Sequence, residues 1–409
     1  MRYPKSGTNL RRRTLLIILS FILLIFTCED YRESASTSAD LLIKIKKDKK
    51  NRAFAKAFEK HFEDLLKHKG SPGAALSLVM NDKTVIAKGF GKRDVKKSLA
   101  VDENTAFRIG SLSKGFSAVL AAKLMDEGQL SWNEKVQKHV PDFSLIDPEQ
   151  ANRIDLKHCL SHTIGIPKHA YTNLIERNIS LERIFPKFKK IKHLKKEGTF
   201  YAYQNATFSL VEPLIKSATG FSYAETLKKE LFHPLEMSNS SVSKNGLQHK
   251  NNFALPHEYS HSRKKWYPRK INDKYYNAIS AGGINSSASD MAKWLDLLLG
   301  NQPEVVTPST LDSVFHKRVP IKYEKRYYTR WRETDDSYYG LGFKIHEFKN
   351  RELIHHGGYV NGFRSEIGID RDNKVAISVI FNAPTRLANT IIRDFYNFYD
   401  EYFADEAQP

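Results

Sequence analysis

Short apolar runs stand at both ends of this chain, and a long stretch of different pattern separates them. Ala74–Met80 and Thr84–Gly91 come early, joined through the turn residues Asn81-Asp82-Lys83. Leu341–Ile345, Leu353–His356, Phe363–Asp370 and Val375–Phe381 come late, the last two separated by Arg371-Asp372-Asn373. Runs of this length bounded by turn residues read as strands. Two strands alone make no stable sheet, so the early pair must find partners among the late ones. From Ser111 to about residue 330 the pattern is helical and loop-rich, with a clear short helix over Met291–Leu299. Leu41–Lys69, with Phe54, Phe58 and Phe62 on one face, and Leu387–Phe403 read as terminal helices. The expected class is α/β (α+β). One antiparallel sheet is flanked by helices, a mostly helical lobe forms from the middle, and a cleft opens where they meet.

Charge restricts the partners less than it first suggests. The net charge is +19, which suits nucleic acid, an anionic membrane surface or an acidic wall polymer. The basic residues scatter, with clusters at Lys44–Arg52, Lys187–Lys196 and Arg263–Lys270. No zinc-finger spacing, Walker loop or RNA-binding aromatic signature accompanies them, so no nucleic-acid partner is expected. The two cysteines, Cys28 and Cys159, exclude a disulfide framework. Cys159 lies in His158-Cys159-Leu160-Ser161-His162, but no further ligands cluster at zinc spacing. Neither a metal nor a cofactor is expected.

The N-terminus carries an address. Arg11-Arg12-Arg13 precedes an apolar stretch from Leu15 to Phe26, too short for an ordinary span but suited to a signal-peptide core. Thr27-Cys28 follows, which resembles a bacterial lipoprotein signal with Cys28 as the lipidated residue. An uncleaved signal anchor and full secretion are the alternatives, and each exports the bulk of the chain. The expected organisation is a signal segment over 1–28, a polar and basic tether over 29–50, and a catalytic domain over 51–405. Its sheet lobe would take about 51–110 and 335–405, its helical lobe about 111–334. A membrane contact through the N-terminal lipid or anchor, in the bacterial cell envelope, goes with this.

Chemistry enters at Ser111-Leu112-Ser113-Lys114, which heads an apolar helical run of Phe116, Val119, Leu120 and Leu124 closed by Gly128. A serine and a lysine three apart share a helix face. A nearby amine to take the hydroxyl proton is one way a weak nucleophile is activated. The motif alone is not specific: S-x-x-K recurs at Ser241–Lys244 and Ser262–Lys265, and serine is a favoured helix cap. Neither copy heads an apolar stripe. Two later segments supply what a serine hydrolase still lacks, a second proton carrier and substrate-holding groups. They are Tyr203-Gln204-Asn205 and His356-Gly357-Gly358. Y-x-N also occurs at Tyr171, Tyr275 and Tyr359, so each segment is weak by itself.

Taken in order, the three segments resemble the serine β-lactamase and penicillin-binding family in its class C-like branch. That family carries S-x-x-K, Y-x-N and K/H-x-G at about these separations. Phe107–Gly110, Leu160-Ser161-His162-Thr163, Thr219-Gly220, Pro234–Met237, Ala281–Ile284 and Tyr339–Gly342 match as flanking stretches, from about residue 54 to 400. The resemblance implies a Ser111 acyl-enzyme, with Lys114 and Tyr203 as proton carriers. It also implies Asn205, His356 and Gly358 as substrate-binding residues, and the backbone N–H groups of Ser111 and Tyr359 as the oxyanion hole. Lysine occupies the His356 position in class C β-lactamases. A histidine there titrates near about pH 6.5, so affinity for a carboxylate substrate would fall at higher pH. The substrate is expected to be a small molecule or peptide. Three readings stay open: an envelope D,D-carboxypeptidase- or D-aminopeptidase-like hydrolase, a promiscuous esterase or weak β-lactamase, and a non-catalytic binding module.

Overall fold

The computed structural model describes residues 44–68, 70–321, 331 and 333–404. The expected signal segment over 1–28 with Cys28, and the expected tether up to residue 43, lie outside the described residues. The chain divides into two units, Met1–Lys56 and Ala57–Pro409. Of the first, 44–56 are described, and all are helical. Among the described residues no helix is long and apolar enough to cross a membrane.

The second unit is built on a nine-stranded antiparallel sheet. Its strands are β1 Gly73–Met80, β2 Lys83–Asp94, β3 Leu99–Ala100, β4 Val319–Pro320, β5 Thr334–Tyr339, β6 Lys344–Phe348, β7 Arg351–Val360, β8 Phe363–Asp370 and β9 Val375–Phe381. The order across the sheet is β3-β2-β1-β9-β8-β7-β6-β5-β4. Strands from the two ends of the chain therefore meet at its centre, where Ala74 opposes Phe381 and Met80 opposes Val375. All eight residues of β1 and all seven of β9 are buried, as central strands covered on both faces must be. One covering layer is the C-terminal helix Ile391–Phe403, whose Phe395 meets Phe58 edge to face at 4.9 Å. On the other face lies the helix Ala288–Leu298, started by a Ser287 hydroxyl cap on the Asp290 N–H.

The helix carrying Lys114 runs Ser113–Asp126 and is buried on every side from Ser113 to Ala122. Its sequence reads accordingly as small and apolar residues all round, not as one stripe. Phe116 stacks on Trp294 at 3.8 Å.

The mostly helical middle also carries short strands: His257–Ser260 and Lys265–Pro268 form a hairpin, and Phe107–Arg108 pairs with Asn285–Ser286. Two expectations are corrected. Of Leu341–Ile345 only Lys344 and Ile345 are strand, since pairing starts at Lys344. The N–H groups of Leu341 and Gly342 go instead to Val314 O at 3.0 Å and Leu160 O at 3.1 Å, tying this stretch to helices. The last helix begins at Ile391, because residues Arg386–Asn389 make a separate tight turn capped by Thr385. At the competing match Ser241–Lys244, Ser243 caps a short helix over Lys244–Gln248 that buries Leu247.

Candidate active site

Ser111 sits in a tight helical turn, Gly110–Leu112, that leads into the Lys114 helix. Three bonds fix this turn. The Ile109 N–H reaches Ile284 O at 3.1 Å, the Ser365 hydroxyl donates to Ile109 O at 2.6 Å, and the Ser113 hydroxyl donates to Gly110 O at 2.7 Å. Gly110 takes φ +52°, and a Cβ there would stand 2.9 Å from the Tyr359 backbone nitrogen. A Cβ on Gly358 would stand 2.2 Å from both Ile109 O and Ser365 Oγ. The two glycines thus let β7 press against the serine turn, which brings the backbone of Tyr359 beside that of Ser111.

Lys114 is fully buried, and its amine is held by three oxygens. Nζ donates to Ala281 O at 2.7 Å and to Asn205 Oδ1 at 2.8 Å, and it lies 3.5 Å from Ser111 Oγ. The last distance is at the outer limit of a hydrogen bond, as is common before substrate tightens a site. Nζ also stands over the Tyr203 ring, 4.8 Å from its centroid. Burial lowers the Lys114 pKa well below the ordinary lysine value. That is what a lysine needs to accept a proton near neutral pH.

Tyr203 and Asn205 are delivered by the segment before the helix Asn205–Phe208. Three backbone anchors hold it: the Ala202 N–H donates to His162 O at 2.9 Å, the Gln204 N–H to His162 Nδ1 at 3.1 Å, and the His169 N–H to Tyr203 O at 2.9 Å. His162 takes φ +59° and packs its ring 4.4 Å from that of Tyr203. The Leu160–Thr163 stretch therefore shapes the site. Asn205 Nδ2 donates to the Tyr275 hydroxyl at 3.0 Å. Tyr275, which the sequence offered only as a competing Y-x-N match, belongs to the site through its side chain.

His356 departs from expectation. It is buried, its Nδ1 donates to Gly357 O at 2.8 Å, and its Nε2 accepts from the Tyr339 hydroxyl at 3.1 Å. Burial, with Lys344 and Lys114 nearby, pushes its pKa well below 6.5. Its surroundings thus disfavour the charged ring that a titrating carboxylate receptor would need. Among the described residues, the basic side chains Lys344 on β6 and Arg364 on β8 also line the same cleft of about 490 Å³. Arg364 is aimed by its bond to Glu366 Oε1 at 2.9 Å. Ser111, Tyr203, Asn205, His356, Gly358 and Tyr359 all line that cleft, and Lys114 lies behind Ser111, 3.5 Å from its Oγ.

The competing serines fall elsewhere. Ser241 pairs with Asn285 through backbone bonds of 3.0 and 2.8 Å. Ser262 sits in the turn of the exposed hairpin. Cys159 is a buried thiol, and among the described residues no cluster of ligands has a metal-binding arrangement. Arg108 is also buried; its guanidinium bonds Asn272 O at 3.1 Å and lies 4.2 Å from the Tyr276 ring centroid. Asn272 and Tyr276, just beyond the basic cluster Arg263–Lys270, thus pack on a buried guanidinium. Residues 322–330 and 332 lie outside the described residues.

Residues 58–397 match the family model described as Beta-lactamase. The chain belongs to the β-lactamase family. Protein flp of Staphylococcus aureus is 26% identical over 315 residues, covering 76% of this chain and 59% of that protein. Unguisins hydrolase ungD' of Aspergillus campestris is 25% identical over 307 residues, covering 73% of this chain and 56% of that protein. The chain thus spans under three fifths of the curated relatives it matches. The octameric penicillin-binding protein homologue from Pyrococcus abyssi superposes with a TM-score of 0.71 at 23% identity, covering 86% of this chain and 81% of that one. The fold is that of β-lactamases and penicillin-binding proteins, within a family of serine hydrolases.

Proposed function

We propose that this β-lactamase-family chain is a serine hydrolase that forms an acyl-enzyme on Ser111 from amide or ester substrates. The observation that carries this is the Lys114 amine, buried, lowered in pKa and held between Ser111 Oγ, Asn205 Oδ1 and Ala281 O. Lys114 takes the Ser111 proton as the hydroxyl attacks the carbonyl carbon. The developing oxyanion is met by the Ser111 and Tyr359 N–H groups. Tyr203 passes a proton to the leaving group and later takes one from the hydrolytic water. Asn205 and Gly358 orient the acyl donor.

Lys344 and Arg364 in the cleft support an anionic acyl donor, such as a peptide ending in a free carboxylate, in the manner of a D,D-carboxypeptidase- or D-aminopeptidase-like hydrolase. A second reading, an esterase of neutral substrates or a weak β-lactamase, is favoured by the burial of His356, which lowers its pKa and disfavours a cation at that position. Both place the chain outside the cytoplasm. The basis for that is the Arg11–Arg13, Leu15–Phe26 and Cys28 pattern, with the lipid or anchor at residues 1–28, the tether at 29–50 and the catalytic domain at 51–405.

Incubation with a fluorescent penicillin and, separately, with p-nitrophenyl butyrate tests the mechanism, with mass spectrometry to locate the adduct. An adduct on Ser111 that disappears in Ser111→Ala is the expected result. An adduct on Ser241, or no reaction with either reagent, would remove the proposal. Faster turnover of carboxylate-bearing peptides than of the butyrate ester selects the first reading over the second. Lipid labelling lost in Cys28→Ala tests the anchor.

A further inference from the structure

We propose that Glu212 is a positioning residue for the active-site lysine, acting through the one-turn helix Ile279–Gly282. This rests on the reading of Lys114 as the proton acceptor.

Lys114 owes its place to a backbone atom, Ala281 O, at 2.7 Å. A backbone acceptor is only as fixed as the segment that bears it. Ile279–Gly282 is too short to hold itself, since a single turn closes too few of its own bonds. It is braced from two directions. On the side of the lysine helix, the Ser117 hydroxyl donates to Ser280 O at 3.0 Å, and Ser117 shares a face with Lys114. Ser117 Oγ is itself 2.6 Å from the Tyr223 hydroxyl. On the opposite side, Glu212 of the helix Val211–Thr219 accepts from both the Ser280 N–H at 2.9 Å and the Ser280 hydroxyl at 2.7 Å. Both bonds fall on one oxygen, Oε1.

From the carboxylate to the amine the path is therefore one residue pair, Ser280 and Ala281, with a hydrogen bond at each end. Charge is not what is transmitted. The depression of the Lys114 pKa arises from burial. Glu212 itself is raised to about 7 by desolvation, opposed by its Ser280 bonds, with Glu182 adding to the rise. It lies against a separate cavity of about 400 Å³ that also takes in Phe185 and Tyr223. A carboxylate that touches no substrate and stands in a poorly solvated place is costly, and its two bonds to Ser280 offset that cost.

The experiment compares Glu212→Ala and Glu212→Gln by the rate of Ser111 acylation, by KM and kcat for p-nitrophenyl butyrate, and by the pH profile of acylation. Glutamine keeps an Oε1 acceptor, and alanine keeps none. Loss of the brace lets Ala281 O drift, and misplacement by about 1 Å costs on the order of 10²-fold in rate. Expected are an acylation rate ten- to hundredfold lower (about, on that scale) in Glu212→Ala with KM unchanged, and rescue to within about threefold in Glu212→Gln. The limb of the pH profile that reports Lys114 moves in the alanine variant. Simple loss of folded protein would scale the profile without moving it. An alanine variant with wild-type rate and profile overturns the proposal, as does a glutamine variant no better than alanine. If Glu212→Ala does not fold, Ser280→Ala removes only the 2.7 Å bond. An unchanged acylation rate there has the same force. Ser111→Ala and Lys114→Ala run alongside: if these still acylate, the underlying mechanism fails, whatever Glu212 does.

Discussion

Gly358→Ala measures how much of the chemistry depends on close approach of β7 to the serine turn. The added methyl would sit 2.2 Å from Ile109 O and 2.2 Å from Ser365 Oγ. A carbon and an oxygen rest no closer than about 3.3 Å, so the strand and the turn must part by about 1 Å. Neither neighbour is a flexible tip. Ile109 O is backbone and already accepts the Ser365 hydroxyl at 2.6 Å. The displacement falls between the two N–H groups assigned to the oxyanion. A shift of that size is worth on the order of 10²-fold in rate, or about 2.7 kcal/mol of barrier. Overpacking costs a further ~1–3 kcal/mol of stability. The assay is single-turnover acylation of Ser111 by a fluorescent penicillin, with thermal melting in parallel. Gly358→Ala should melt somewhat lower yet remain folded, and acylate about a hundredfold more slowly. Acylation within about threefold of wild type would refute the reasoning, because the two N–H groups would then not need this spacing.

KM for a carboxylate substrate should stay flat between about pH 6.5 and 8, because burial, with Lys344 and Lys114 nearby, holds the pKa of His356 well below its ordinary value; a rise in KM across that range would mean that His356 carries charge. Arg364→Gln should raise KM for such a substrate by about tenfold and leave a neutral ester unaffected, measured by steady-state kinetics. Lys114→Met should abolish acylation and also change the pH dependence of stability. The folded pKa of Lys114 lies below its unfolded value, so the unfolded chain binds more protons and wild-type stability rises with pH toward about 10.4. The methionine variant should show a shallower rise in melting temperature between about pH 7 and 9.

What the sequence could disclose follows from which interactions leave a pattern. The central strands Gly73–Met80 and Val375–Phe381 are buried along their whole length, so their apolar runs stand out. The hairpin strands HEYS and KWYP and the strand TDDSYY, next to the sheet's edge, are only partly buried and carry no such run. Ser111 and Lys114 are readable because i and i+3 on a helix must meet. Tyr203, Asn205 and His356 came through family resemblance, since nothing local ties them to residue 111. The Ala281 contact leaves no mark at all, because a carbonyl oxygen belongs to every residue type. Tyr275 was visible only as a chance repeat, and its role appears when Asn205 is brought within 3.0 Å of it. The charge on His356 depends on burial and on Lys344 and Lys114, which come from other elements.

The pairing of β1 with β9 also sets a schedule for the chain. The serine turn and the Lys114 helix are made early in synthesis, but β7 and β8, which press against that turn, come some 250 residues later (about 850 Å of extended chain). The middle of the sheet closes only when Val375–Phe381 arrives to lie beside Gly73–Met80. Contacts so distant along the chain form slowly. A nascent chain therefore holds every residue of its nucleophile motif while lacking the surface that makes the motif reactive. Truncation before residue 375 should yield no partly active fragment. Reactivity would appear in one step, at the far end of folding, after the last strand is in place.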